Sequence, residues 1–445
     1  GNVFINETFN FTATTGNLKM AGNLGVGGNV SVGTAGINVI IENTQSQWNS
    51  GTGFNVTINA DNITLSVNGS NQYPNQSGSF NSQIINTGGL SEFKFVSWTE
   101  EVPYQEEIGR AVGDGNTASK ESGFVNTSGL LLLYHFNNET AFGENDSKAY
   151  DFSKDVNSDN TKDHSNGTCN LVSGECPVWN RDGKFGGAYQ FEVDGDRINI
   201  KNNNISRITV AAWVKPTALR GVDFGDRILE KGWTAPRSGA YLLYFWEGAS
   251  LQFDVKNVDT TSHIAIYSKT FTLNEWVHAV GTFDGTTVSV YVNGVKGGTT
   301  ATVTGEGFLN KSVGISVGSS STTDSLRAYV DEVAMWNRSL SDQEVLDLYK
   351  RGALRLNLSV RSCNDAACDT EQFSSALLNA TGMSLNQSII QRNPFIQYRV
   401  TFNTSDINWT PVLYNITINY TNHNIFFVDT VSNRVGIGTR LHCKH

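Results

Sequence analysis

Retaining glycoside hydrolysis needs two carboxylates about 5 Å apart, one on each side of the scissile bond. A strand can present such a pair when acids alternate along it. Glu192-Val193-Asp194 has that alternation, but the Glu-x-Asp-x-x-Glu spacing is broken at Arg197. Nucleophile-elbow Gly-x-Ser-x-Gly, zinc-protease His-Glu-x-x-His and phosphate-cradling glycine loops are absent from the sequence. The expectation is therefore a chain that is not an enzyme. The run from Asp151 to Asp163 is rich in Asp, Asn and Ser. Those are the hard oxygen donors that Ca2+ takes six to eight at a time. It lacks the central Gly and terminal Glu of a helix–loop–helix calcium site, so the expected role is pinning a loop with a structural Ca2+. Sugar binding would need aromatic platforms beside polar groups. Trp233, Tyr244 and Trp246 are the candidate ligand-binding residues, with Trp179 also considered, whereas Trp213, Trp276, Trp336 and His278 read as packed in strands.

Cysteine usage and sequons bear on location. Cys169 and Cys176 lie close together, as do Cys363 and Cys368, without Cys-x-x-Cys spacing or neighbouring His partners. Two short-loop disulfides in an oxidising compartment are the better account. Cys443 is left over, open to a free thiol, an intermolecular bridge or a non-native tail. Asn-x-Ser/Thr triplets recur along the chain, and Asn6, Asn55, Asn62, Asn126, Asn166, Asn204, Asn310, Asn357, Asn379, Asn403 and Asn415 are candidate glycosylation sites. The expected location is extracellular, at a cell surface. The opening residues read as strand rather than as a signal peptide, so an exported chain would be in its processed form. With 32 Lys and Arg against 42 Asp and Glu, the net charge of −10 lacks the basic footprint of a nucleic-acid binder. No apolar run approaches the roughly 18 residues of a membrane-spanning helix.

The elements that must position these residues are strands. Three consecutive hexads, Gly16–Ala21, Gly22–Gly27 and Gly28–Gly33, carry apolar residues at their third and fifth places, so Leu18, Leu24 and Val30 share one face of an extended segment. A single stripe of this kind cannot bury itself and gains a core by stacking on a neighbour. The tail carries a strand around Ile425 and Phe427 and an echo of the hexads at Val435 and Ile437. Strings such as FFVDTVSNRVGIGT and GNLGVGGNVSVG resemble the shaft repeats of fibrous surface proteins and phage tail fibres. The resemblance implies assembly through Val3, Ile5 and these end residues, with copies of the same chain as partners in a homopolymer.

Between the ends, period-2 segments alternate with polar turns. Leu130–Phe136, Ile208–Val214, Tyr241–Trp246, Trp276–Phe283, Val288–Val292 and Val313–Val317 read as strands, and Asp284-Gly285 and Asn293-Gly294 as hairpin turns. Ser341 and Glu344 form a capping box ahead of a helix bearing Val345, Leu348 and Tyr349 on one face. The order of Gly186–Phe191, Val210–Pro216, Trp276–Gly285, Val290–Gly294, Val330–Asn337 and Leu340–Tyr349 resembles a laminin-G-like, concanavalin A-like jelly roll. In such domains Asp163-His-Ser-Asn-Gly-Thr168 matches an Asp-x-Ser-x-x-Gly loop that helps hold Ca2+, so the resemblance adds Asp163 and Asp331 to Asp151 as candidate metal ligands.

The flanks resemble a β-sandwich of surface proteins with the jelly roll inserted into one of its loops. The expected fold class is all-β and multidomain: a concanavalin A-like jelly roll inserted into a second β-sandwich, with β-rich hexad-repeat terminal segments. The expected divisions are a stem at 1–36, a β connector at 37–75, an outer sandwich at 76–123 plus 353–421, the jelly roll at 124–352 and a shaft-like tail at 422–445. The leading functional expectation is a self-assembling subunit of a surface fibre or filament that displays the jelly roll for adhesion. A monomeric lectin-like adhesin, with glycans or other cell surfaces as partners, is the alternative, and a glycoside hydrolase the third.

Overall fold

The computed structural model describes residues 37–109, 126–153, 165–201, 205–220, 225–232, 240–256, 261–303, 314–318, 325–377, 383–422, 426–429 and 434–437. Val3, Ile5, Leu18, Leu24, Val30 and Ile425, expected to serve assembly, lie outside them, as do Asp163, Trp233, Asn6, Asn204, Asn310 and Asn379. The chain is all-β, in two compact units: one is Val102–Ala353, the other takes residues up to Glu101 and from Leu354 onward. No helix among the described residues is long and apolar enough to cross a membrane.

The unit up to Glu101 and from Leu354 is built on a ten-stranded sheet in which early and late strands interleave. Ile85–Glu100 lies between Asn393–Thr404 and Leu413–Asn422, pairing antiparallel with both. Alternation drives the packing. Leu354, Leu356, Leu358 and Val360 turn one way along their strand, and Ile396, Tyr398, Val400 and Phe402 do the same on the neighbouring strand, all buried. At roughly 1.5–3 kcal/mol per fully buried large apolar side chain, rows like these dominate the energetics of a sheet face.

The unit Val102–Ala353 contains a nine-stranded and an eight-stranded sheet. One apolar cluster takes inward residues from both, including Val210, Ala212 and Val214 from the first and Leu243, Phe245, Phe253 and Val255 from the second. Ile208–Pro216 is buried along nearly its whole length because both of its faces are covered. Its other face, with Ala211, joins Trp336 and Val280 in a second cluster closed by Leu340, Val345 and Leu348. The last two belong to the helix Asp342–Ala353. Its capping box is formed: Ser341 N–H donates to Glu344 at 2.8 Å, and Glu344 N–H to Ser341 Oγ at 3.2 Å. Trp213 and Trp336 are buried as expected, but Trp276 is only half-buried, with the Lys215 ammonium 5.2 Å from its ring centre. Its strand begins at Val277, so Trp276 precedes the inward–outward alternation that holds its neighbours.

Candidate functional site

Of the residues expected to stack sugar, Tyr244 and Trp246 lie on the eight-stranded sheet. Along Tyr241–Trp246 the odd residues enter the core, so Leu242, Tyr244 and Trp246 stand on the opposite face as a small cluster of their own. Tyr244 and Trp246 meet edge to face with ring centres 6.1 Å apart. The next strand, Ser250–Lys256, pairs in register so that Tyr244 faces Gln252 and Trp246 faces Ser250. Tyr244 donates its hydroxyl to Gln252 Oε1 at 2.6 Å, and Gln252 Nε2 donates to Ser250 Oγ at 3.0 Å. On the preceding strand, Arg227 donates to Glu230 at 2.6 Å, and Ser316 Oγ lies 3.4 Å from Glu230 on the far side. Phenol, indole, amide, hydroxyl and ion pair thus share one sheet face. Trp246 is half-buried and offers its indole for stacking, whereas Tyr244, Ser250, Gln252, Arg227 and Glu230 are buried. Trp179 belongs elsewhere: it packs against the core and its indole N–H donates to the Phe136 carbonyl at 2.8 Å.

Three of the candidate acids make bonds within the fold. Asp194 bonds Arg220 and Arg327, each at 2.8 Å. Asp151 is buried and accepts the backbone N–H groups of Leu133, Ser153 and Ser165 at 2.9, 2.9 and 3.1 Å. Asp331 is buried and accepts Lys184 and Phe185 N–H at 2.8 Å and Glu332 N–H at 2.7 Å. Burial, with Glu332 adding repulsion, pushes the Asp331 carboxyl well above its ordinary range. His278 is also buried, which, with Lys184 nearby, drops its imidazole to about 3 and keeps it neutral.

A cluster not expected from the sequence lies beside the nine-stranded sheet, where Glu332 sits on the strand Ala328–Trp336. His135 Nδ1 contacts Glu332 Oε1 and lies 3.8 Å from Glu107 Oε2. Glu332 follows Asp331 directly, and simple alternation would send the two acids to opposite faces. A bulge intervenes, the register against Ile208–Pro216 shifting between Ala211 and Trp213, and Glu332 takes φ +48°. Its other oxygen accepts Ile108 N–H at 3.1 Å, and Glu107 Oε1 is held by the Asn137 amide. Burial raises the Glu107 carboxyl; the neighbouring His135 works against that rise and Glu332 adds to it. The adjacent Asp331-Glu332 pair was the one visible hint, but neither the bulge nor partners some 200 residues away can be read from spacing.

The two short-loop disulfides are present, Cys169–Cys176 and Cys363–Cys368, with Cα atoms 5.1 and 5.2 Å apart. Of the described sequon residues, Asn126 is exposed, and Asn55, Asn62, Asn166, Asn357, Asn403 and Asn415 are half-buried. The strands Phe426–Asp429, which includes Phe427, and Arg434–Ile437, which includes Val435, pair antiparallel with each other.

Residues 192–346 match the family model described as the concanavalin A-like lectin/glucanases superfamily, laminin-G type. No curated protein matches the chain. Among solved structures, the chain is similar to the binding domain of Paraclostridial Mosquitocidal Protein 1, at 15% identity and TM-score 0.38 over 55% of this chain and 64% of that one. It is similar to the botulinum neurotoxin serotype G binding domain at 12% and 0.37, over 52% and 56%. A Trypanosoma rangeli sialidase follows at 18% and 0.35, over 54% and 36%. The chain thus spans less than two thirds of the length of each, and these likenesses carry no functional argument. Residues 192–346 form a concanavalin A-like lectin/glucanase domain of the laminin-G type.

Proposed function

We propose that the chain is the glycan-binding part of an extracellular surface protein. It binds sugar on the face of the eight-stranded sheet turned away from the core. The observation that carries this reading is the convergence of Tyr244 and Trp246 with Gln252 and Ser250 on that face. An aromatic pair beside an ordered polar relay is the arrangement that recognises a ring with one apolar and one hydroxylated side. Catalysis is no part of the reading: the Glu-x-Asp-x-x-Glu spacing is broken at Arg197, and Asp194 is held by two arginines. The two disulfides and the recurring sequons support an extracellular setting. The test is a glycan array probed with the full chain and with Trp246→Ala. Selective binding that falls at least about tenfold in the variant, a loss of about 1.4 kcal/mol, is the expected result. Binding unchanged in Trp246→Ala contradicts the reading.

A second reading, a self-assembling fibre or filament subunit, is favoured by the strand Asn38–Glu42. Among the described residues it pairs with one strand only, Leu413–Asn422. Ile37, Val39 and Ile41 alternate along it at 68%, 51% and 49% exposure. An apolar edge with unpaired backbone groups is a template for another chain's strand. Sedimentation at rising concentration tests it: assembly in the wild type that is lost in Val39→Lys with Ile41→Lys supports this reading, and a chain that stays monomeric removes it.

A further inference from the structure

We propose that Glu107, His135 and Glu332 form a site for a divalent transition-metal cation, Zn2+ first among them, apart from the sugar face. The three side chains offer one imidazole nitrogen and two carboxylate oxygens, all within 4.8 Å of one another. Ligand atoms around a tetrahedral zinc ion lie roughly 3.3–3.6 Å apart, so the His135–Glu332 contact must open and the part-exposed Glu107 must close by up to about 1 Å for all three to reach one ion. The ion takes the place of the proton now shared between His135 Nδ1 and Glu332 Oε1, and that proton leaves to solvent.

Three independent features point the same way. The first is charge. His135 is fully buried and Glu332 nearly so, while Glu107 keeps 29% of its side chain exposed. Glu139 and Asp331 add their fields to Glu107, and Glu144 adds its own to His135. Among the described residues, Arg351 donates its guanidinium to the backbone carbonyl of Glu107. Carboxylates gathered about a buried imidazole are a grouping that burial penalises and a dication relieves.

The second feature is the holding of the donors. Ile108 N–H fixes the second oxygen of Glu332, and the Asn137 amide fixes that of Glu107. Outer hydrogen bonds of this type orient metal ligands. The backbone is strained on both sides of the imidazole, with Glu332 at φ +48° and Phe136, next to His135, at φ +57°. A left-handed φ at a Glu and a Phe persists where the surroundings hold it. The third is access. A cleft lined by Ile108, Phe185, Trp213, His278, Glu332 and Arg351 opens on Glu332 with room for about one water. Of the three donors Glu332 is the one that lines this cleft, and a zinc ion held by three protein donors leaves its fourth position for water. The imidazole favours zinc over Ca2+ or Mg2+, which prefer all-oxygen cages.

The plainer reading is a histidine–carboxylate ion pair with no metal. The experiment titrates the chelator-stripped full chain with zinc chloride by calorimetry and measures zinc retained after gel filtration. About one zinc ion per chain and a raised unfolding temperature are expected. Glu107→Gln, at a part-exposed position the fold tolerates, weakens zinc binding at least about tenfold with an unchanged circular-dichroism spectrum. His135→Asn abolishes it. Folded wild type that retains no zinc overturns the proposal, as does zinc retained equally by Glu107→Gln. Zinc lost only on His442→Ala assigns binding to the tail run His442-Cys443-Lys444-His445 and overturns it too. Preference for Ca2+ over zinc does the same.

Discussion

Single side chains separate the recognition residues from those that hold the fold. Tyr244 is buried to 5% exposure while its ring edge meets Trp246, and its hydroxyl is committed to Gln252. Tyr244→Phe removes that hydroxyl and leaves the Gln252 amide to turn. The expected outcome is a stability loss of roughly 1 kcal/mol, because a buried acceptor loses its donor, with glycan binding weakened only through the seating of Trp246; denaturant unfolding and isothermal titration check the two. Glu42 belongs to the other class. Burial raises its carboxyl above the ordinary 4.5, against the pull of its hydrogen bond from Tyr398. The folded chain therefore keeps the Glu42 proton at pH values where the unfolded chain has lost it. The resulting stability is full below about 4.5 and falls away as pH rises through the higher folded value. Denaturant unfolding followed from pH 4 to 8 should lose stability across that window in the wild type, and Glu42→Gln should flatten the loss.

Strands and turns account for most of what could be read from the sequence, and for what could not. The alternation in Tyr241–Trp246 and Ile208–Val214 marks strands, and Asn293-Gly294 closes its hairpin with φ +53° and +77°, the conformation that residue pair favours. That Tyr244 and Trp246 share a face was legible for the same reason: they are two apart on a strand. Trp276 misled because an aromatic at a strand's entrance has the same neighbours in sequence as one inside it. The Glu107–His135–Glu332 group was illegible because it depends on an inserted bulge residue and on pairing across distant strands, neither of which leaves a local pattern. Close packing between the two sheets of Val102–Ala353 gives a prediction at this scale. A Cβ at Gly281 would lie 2.4–2.8 Å from ring atoms of Phe253 on the facing sheet. Gly281→Ala should destabilise that unit by about 1–3 kcal/mol, read as a lower denaturant midpoint.

At the scale of the whole chain, two all-β units share one polypeptide, and each contains its own buried residues and its own disulfide. Val102–Ala353 includes both the sugar face and the helix-covered cluster, so it holds everything the glycan reading needs. Expressed alone, this unit should fold cooperatively with Cys169–Cys176 closed and bind the same glycans as the full chain; a piece that stays unfolded would show that the remainder is required. Hydrogen exchange with and without a glycan selected by the array tests the central claim most directly. Added slowing of amide exchange concentrated in Tyr241–Trp246 and Ser250–Lys256 is the predicted result. Slowing confined to other strands, with these two unchanged, would contradict it.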